Sequence, residues 1–246
     1  MDVQARFGAA YDLARLGRHE EALREFEWLH DHALQECRSW AGVRLSYSLH
    51  AWARLGAVYP PARAALEAVC ARDTALLLAG RGNRHLFIDV NAIHRVLDRQ
   101  ERTHALFVEL ERVDPALAQA CAGVALTAII TAKDYALAER LLPDPERDVR
   151  RRAAFLNADF AGRRGRRFTR APIIASDIRL YVDPVREVLT VLEGRGRGQE
   201  AAHLRKLAAD LIPATTIRRA VRAALLPGAR PWHERGRRPR RKARIS

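Results

Sequence analysis

Two histidine groups near the amino terminus have the residue types of a metal site, but neither has the spacing. His19-Glu20-Glu21 lacks the second histidine four residues later that a zinc-protease helix requires. His30 and His32 are two residues apart, and such neighbours point to different faces of a helix. We therefore expect both groups to be exposed polar residues, and the sequence predicts no metal ion.

Three alternating glycines follow an apolar run, in the manner of a dinucleotide-binding turn. They are Gly194, Gly196 and Gly198, but the third small residue of that motif would fall on Gln199, and no strand-ending acid follows about 20 residues later. The chain also lacks a Gly-x-Ser-x-Gly, Walker or protein-kinase signature. The sequence thus predicts no cofactor and no enzyme, although a catalytic site built from scattered residues stays an alternative.

The cysteines and the apolar runs indicate a soluble protein. Cys37, Cys70 and Cys121 are odd in number and form no Cys-x-x-Cys pair, so we expect small core residues in a reducing compartment. The longest mainly apolar run, 120–132, is shorter than the roughly 18 residues that a membrane span needs. The amino terminus has an early acid and does not resemble a secretory signal. These features predict a cytoplasmic protein with no membrane partner.

The net charge of +14 is concentrated in two arginine-rich segments. Residues 147–170 carry nine basic and two acidic side chains, and residues 230–246 carry eight and one, so each segment has a net charge of +7. Residues 1–146 have a net charge of −3. The 40 arginines stand against three lysines, a ratio that GC-rich coding also produces.

These two segments are candidate polyanion-binding elements, because arginines neutralise phosphates. The candidate residues are Arg163, Arg164, Arg166, Arg167, Arg237, Arg238, Arg240 and Arg241. The alternative for the first segment is an insertion whose arginines cap helices or stay solvated. The alternative for the second, which should be disordered when free, is a tail that only solubilises the protein.

Helical periodicity extends through most of the chain. Leu13, Leu16, Leu23 and Phe26 recur at spacings of mostly three and four residues, with an interruption at Gly17. Gly17 can adopt the left-handed conformation that ends one helix before the next begins. A second segment follows the same plan, with a turn expected at Gly56 and a helix beginning at Pro60 and Pro61, since proline is tolerated in a first helical turn.

Five segments share a turn residue, a small residue five or six positions later and then an apolar or aromatic residue. The triplets are Gly17, Ala22 and Phe26; Gly56, Ala62 and Leu66; Asp98, Thr103 and Phe107; Lys133, Ala138 and Leu142; and Gly196, Ala201 and Arg205, where arginine takes the aromatic position. This pattern resembles the tetratricopeptide repeat, a helix-turn-helix unit of about 34 residues. The resemblance covers most of residues 1–145 and about 182–226.

The resemblance implies an all-α fold in which antiparallel helix pairs stack into a right-handed superhelix. Another all-helical array is the alternative. We expect tetratricopeptide-like repeats over 1–145, an arginine-rich helix and loop insertion over 146–181, a repeat and capping helix over 182–229, and a basic disordered tail over 230–246.

The implied function is that of a non-catalytic scaffold, whose groove, lined by the first helices of the pairs, binds a peptide or helix of a partner protein. The candidate lining residues are Tyr11, Arg15, Tyr47, Asn91, His94 and Arg95. The last three resemble polar residues that some members of the family use to hold an acidic peptide terminus. Two alternatives remain: Tyr11, Tyr47 and His94 could instead pack between helices, and the protein could be associated with nucleic acid or the ribosome through its arginine runs.

Overall fold

The described part of the chain is helical. A computed structural model describes residues 2–163 and 171–229, and within those ranges it contains helices and turns but no strand. The all-α prediction is therefore confirmed. The chain divides between Ala132 and Lys133 into two compact units, here called unit 1 and unit 2.

Unit 1 contains the helices up to Thr131. They are α1 (Val3–Arg15), α2 (His19–Glu36), α3 (Ala41–Val43), α4 (Leu49–Val58), α5 (Pro60–Leu78), α6 (Arg84–Val96), α7 (Gln100–Val113) and α8 (Pro115–Thr131). A 3-10 turn, Arg38–Trp40, precedes α3, and a π-helical segment, Arg44–Ser48, leads into α4.

Unit 2 contains five further helices in its described residues. They are α9 (Tyr135–Arg140), α10 (Pro145–Arg163), α11 (Ala171–Gly194), α12 (Gly198–Asp210) and α13 (Thr215–Ala224). Their core includes Val149, Tyr181, Val185 and Leu204. The Tyr181 hydroxyl donates a hydrogen bond of 2.8 Å to the carbonyl of Ala208 and so joins α11 to α12.

Four of the five expected turn residues have a left-handed backbone. The φ angles are +77° at Gly17, +59° at Asp98, +60° at Lys133 and +75° at Gly196. At Gly17, Asp98 and Gly196 the next N–H returns to a carbonyl five residues earlier, as from Arg197 to Leu192 at 2.8 Å. This pattern satisfies carbonyls at the helix end that would otherwise lack a donor.

All five expected small residues lie in the core. Ala22, Ala62, Thr103, Ala138 and Ala201 are each completely buried. A larger side chain at any of these positions would have to displace the residues packed around it, because a protein core has little free space. The small-residue position is thus the most regular feature of the repeat.

Several sequence expectations are wrong in detail. Gly56 is not a turn residue but lies inside α4, where an added Cβ would be 3.0 Å from the Cβ of Arg63 on α5. Arg205, which departs from the pattern at the aromatic position, forms an ion pair with Glu193. Cys37 is partly exposed, whereas Cys70 and Cys121 are buried as expected.

The helices of unit 1 fall into two sets. The first helices of the pairs, α1, α4 with its π-helical lead-in, α6 and α8, alternate with the second helices, α2, α5 and α7. Among the first helices, α6 packs on both α4 and α8, and among the second helices α5 packs on α7. The surface formed by the first helices is called here the first-helix face.

Candidate binding faces

One groove of the first-helix face lies between α1 and α4. It has a volume of about 190 Å³ and is lined by Tyr11, Ala14, Arg15, Phe26, Ala51, Arg54, Leu55 and Val58. The Arg54 guanidinium carbon lies 5.6 Å from the centre of the Tyr11 ring, within range of a cation–π contact. Two of the predicted lining residues, Tyr11 and Arg15, are therefore brought together here.

Two other predicted lining residues lie near the π-helical segment. Tyr47 is 72% exposed within that segment, and Arg95 on α6 donates a 3.1 Å hydrogen bond to the carbonyl of Leu45. Tyr47 and Arg54 are seven residues apart, about two helical turns, so they share one side of the helix. π-helical turns are rare and frequently occur at functional sites, so this segment favours the first-helix face as a binding surface.

The remaining two predicted residues are less accessible. His94 is buried, and its Nδ1 lies 3.0 Å from the Thr103 hydroxyl on α7. Burial, with the charge of Arg102 as a second cause, lowers the pKa of His94 to about 4, so the ring is neutral near pH 7. Asn91 is half-buried. The structure therefore places the His94 ring in the contact between α6 and α7 and not on an exposed surface.

Charge is segregated between the two sets of helices in unit 1. The first helices carry six arginines and two aspartates, a net charge of +4. The second helices carry five arginines and eleven acidic residues, a net charge of −6. The net charge of residues 1–146 conceals this segregation, because it averages the two sets.

Several arginines of the first helices have no carboxylate partner among the described residues. Arg54 contacts the Tyr11 ring, Arg84 donates to the carbonyl of Ala120 at 3.0 Å, and Arg95 donates to that of Leu45. Acids of the second helices pair with arginines of either set: Glu20 with Arg24 of α2 at 2.7 Å, and Glu25 with Arg6 of α1 at 2.9 Å. Among the described residues, Arg54 beside Tyr11 and Arg95 near Tyr47 thus have no carboxylate partner, whereas Arg15 lies 3.8 Å from Asp12.

Sequence reasoning missed a buried ionic cluster in unit 1. Arg44, in the π-helical segment, is 6% exposed and donates to the Asp89 carboxylate on α6 and to the His30 carbonyl on α2, the latter at 2.8 Å. His30 is therefore buried, and the expectation that it is exposed is wrong. Burial and the neighbouring guanidinium of Arg44 lower the pKa of His30 to about 4. Because the three residues are far apart in sequence, no local pattern indicates the cluster.

A second groove lies in unit 2, between α10 and α11. It has a volume of about 430 Å³ and is lined by Arg151, Arg152, Phe155, Leu156, Asp159, Asp177, Leu180 and Tyr181. Leu156 and Tyr181 are buried at its floor, whereas Phe155 is 78% and Leu180 67% exposed. One feature of the sequence could have indicated this groove, since Phe155 is an aromatic residue on the polar side of α10.

Most candidate polyanion-binding residues lie outside the described residues. Arg164, Arg166, Arg167 and the four arginines at 237–241 belong to that group, and Arg163 is described only as the end of α10. The neighbouring arginines of α10 are already paired with acids of the same helix: Arg150 with Glu146, and both Arg151 and Arg152 with Asp148. These pairs reduce the positive charge that α10 offers to a polyanion.

Within the described residues, no cluster of three or more acidic, histidine or cysteine side chains could hold a metal ion. No helix in the same part of the chain is both long and apolar enough to cross a membrane. Comparison with protein-family models, with curated proteins and with solved structures found no match to this chain.

Proposed function

We propose that this protein is a non-catalytic scaffold of tetratricopeptide-like helix pairs, stacked in a right-handed superhelix, that binds an acidic peptide or helix of a partner protein on its first-helix face. The observation that carries the proposal is the segregation of charge between the first and second helices of unit 1. A folded protein gains no stability from gathering like charges on one face, so such an arrangement favours a role in recognition.

The chemistry of the first-helix face suits an acidic occupant with apolar or aromatic side chains. Arg15, Arg54 and Arg95 are exposed donors, and Tyr11 and Tyr47 offer ring surface beside them. Tyrosine and arginine are the residue types that contribute most often to binding energy at protein interfaces. A guanidinium that already lies over a ring pairs with a carboxylate at low cost in side-chain entropy.

The test is a titration of the full chain with a fluorescein-labelled peptide of alternating glutamate and leucine, beside a lysine counterpart. We expect the acidic peptide alone to bind, and Arg54→Glu and Arg95→Glu each to weaken binding roughly tenfold. Arg24→Glu, a matched reversal on the second helix α2, should leave binding unchanged. Equal affinity of both peptides, or equal loss in all three variants, would remove the first-helix face as the binding surface.

Association with nucleic acid or the ribosome through the arginine runs is the second candidate function. The observation in its favour is the net charge of +7 in each of the two segments. Affinity for generic RNA should then fall steeply with salt and be lost when residues 230–246 are removed. A pulldown with and without nuclease separates the two functions, since only a protein partner survives the treatment.

A further inference from the structure

A further groove in unit 1 lies between two of the second helices, α5 and α7, and the end of α6. Its volume of about 780 Å³ is within the range of about 300–1,000 Å³ that is typical of small-molecule sites. Its apolar lining consists of Ala71, Ala75, Leu78, Leu97, Ala105 and Leu106. No phenylalanine, tyrosine or tryptophan lines it, so an aliphatic ligand fits it better than a ring that needs a stacking partner.

One part of the groove contains buried polar groups beside two arginines. Cys70 and His94 are buried there, and Arg99 and Arg102 also line the groove. Burial and then the charge of Arg102 lower the pKa of His94 to about 4, so the ring is neutral near pH 7. Burial raises the pKa of the Cys70 thiol, an effect that the charges of Arg102 and Arg99 oppose. Both guanidinium groups therefore lie near uncharged groups of the floor.

The two acids of the lining are already compensated by arginines. Glu67 accepts hydrogen bonds from Arg63 at 3.1 Å and from Arg99 at 2.7 Å, and Glu109 is paired with Arg112. Neither acid therefore acts on a ligand as an isolated negative charge, although the second helices as a set are acidic.

Arg102 is the lining charge that lacks such compensation. It is exposed and has no carboxylate partner among the described residues. Glu101, the next residue along the chain, is exposed too and does not line the groove. With Glu101 counted, four arginines (63, 99, 102 and 112) stand against three glutamates (67, 101 and 109), a net charge of +1. This charge matches a ligand with a single negative charge.

A carboxylate with an aliphatic chain has the charge and the shape that this groove accepts. A phosphate monoester carries a charge of about −2, more than one unpaired arginine matches. A guanidinium binds a carboxylate through two parallel hydrogen bonds. Arg102 and Glu109 are seven residues apart on α7, a rise of about 10 Å that leaves room for an extended alkyl chain.

We propose that the groove between α5 and α7 binds a small aliphatic carboxylate, with the carboxylate group on Arg102 and the chain against the alanine and leucine side chains. Burial of the chain supplies most of the binding energy, and the arginine selects the head group. The site lies among the second helices, so the proposal is independent of the acidic peptide proposed for the first-helix face.

Isothermal titration calorimetry of the full chain with octanoate tests the ligand class. We expect octanoate to bind saturably at one site per chain. Octanol lacks the charge, octylamine has the opposite charge and acetate lacks the chain, so each should bind at least tenfold more weakly. Absence of octanoate binding below the concentration at which it forms micelles, or equal affinity for octanoate and octanol, overturns the proposal.

Two variants of exposed positions on α7 locate the site. Arg102→Gln removes the charge and Ala105→Trp fills the groove, so each should weaken octanoate binding at least tenfold with unchanged helical circular dichroism. The matched controls, Arg24→Gln on α2 and Ala68→Trp on α5, are exposed outside the groove and should keep the wild-type affinity.

The same variants separate this site from the one on the first-helix face. Arg102→Gln should leave binding of the glutamate-leucine peptide unchanged, and Arg54→Glu should leave binding of octanoate unchanged. Octanoate binding that survives both Arg102→Gln and Ala105→Trp, or that the controls weaken equally, shows that the groove between α5 and α7 is not the site.

Discussion

At the scale of single residues, two buried histidines should make stability depend on pH. His30 and His94 have pKa values of about 4 in the folded chain, below the 6.5 of an ordinary histidine. Between pH 4 and 6.5 the unfolded chain therefore binds more protons than the folded chain. The stability that depends on these two histidines is fully present above pH 6.5 and is lost as pH falls towards 4. Each histidine contributes a slope of at most about 1.4 kcal/mol per pH unit.

Urea unfolding between pH 7 and 4.5 measures this dependence. His94→Gln should show a shallower loss of stability than the wild type, because one of the two buried groups no longer titrates. His32→Gln, at an exposed position two residues from His30, is the control and should keep the wild-type slope. Parallel curves for the wild type and His94→Gln would contradict the assignment.

Single-residue properties were the least predictable from sequence. Tyr11 and Tyr47 are exposed, whereas the sequence left open that each packs between helices. His30 differs, because its burial depends on Arg44 and Asp89, which come from other helices. A contact between residues that are distant in sequence does not change the local pattern of apolar and polar residues around either one.

At the scale of helix pairs, the close contact at Gly56 sets the distance between α4 and α5. Gly56→Ala would place a methyl group 3.0 Å from the Arg63 Cβ and 3.1 Å from its backbone, and neither atom can move without shifting α5. We expect a loss of about 1–3 kcal/mol in the free energy of unfolding. Denaturant titration followed by tryptophan fluorescence measures it, since Trp52 lies buried in α4.

The matched control is Gly123→Ala in α8, where an added Cβ meets no atom within 4 Å. This substitution should stabilise the protein by about 0.5–1 kcal/mol, because alanine loses less backbone entropy in a helix than glycine. If Gly56→Ala and Gly123→Ala both stabilised the protein, the contact between α4 and α5 would have space for the added methyl group.

The repeat pattern predicted turns well where the chain has to reverse between helices. Asp98 and Lys133 were identified as turn residues by their place in the pattern, although neither is glycine, and both have positive φ. Gly56 was misassigned, because a glycine in such a pattern serves either a left-handed turn or a close helix contact. The expected helix start at Pro60 did not distinguish the two uses, because α4 continues past Gly56 to Val58 and only Tyr59 separates it from α5.

At the scale of the whole molecule, the two units have separate cores and should respond separately to core substitutions. Leu66 is completely buried in unit 1 and Leu192 almost completely in unit 2. Replacing either by alanine should cost about 2–5 kcal/mol within its own unit. Trp28, Trp40 and Trp52 all belong to unit 1, so tryptophan fluorescence reports mainly on that unit.

We therefore expect Leu66→Ala to lower the urea midpoint seen by fluorescence. Leu192→Ala should leave that midpoint in place and lower only a second component of the transition seen by circular dichroism. If both substitutions shift both signals equally, the two units unfold as one. The sequence alone did not indicate a division after Ala132, since that position falls inside the repeated pattern.

The segregation of charge in unit 1 also gives the unit an electric dipole, directed from the second helices towards the first. A dipole acts over distances beyond direct contact and would orient the acidic partner proposed above before any side chains meet. It should therefore affect the rate of encounter more than the lifetime of the complex. Added salt would then slow association while leaving dissociation nearly unchanged, and the protein would capture its partner fastest where ionic strength is lowest.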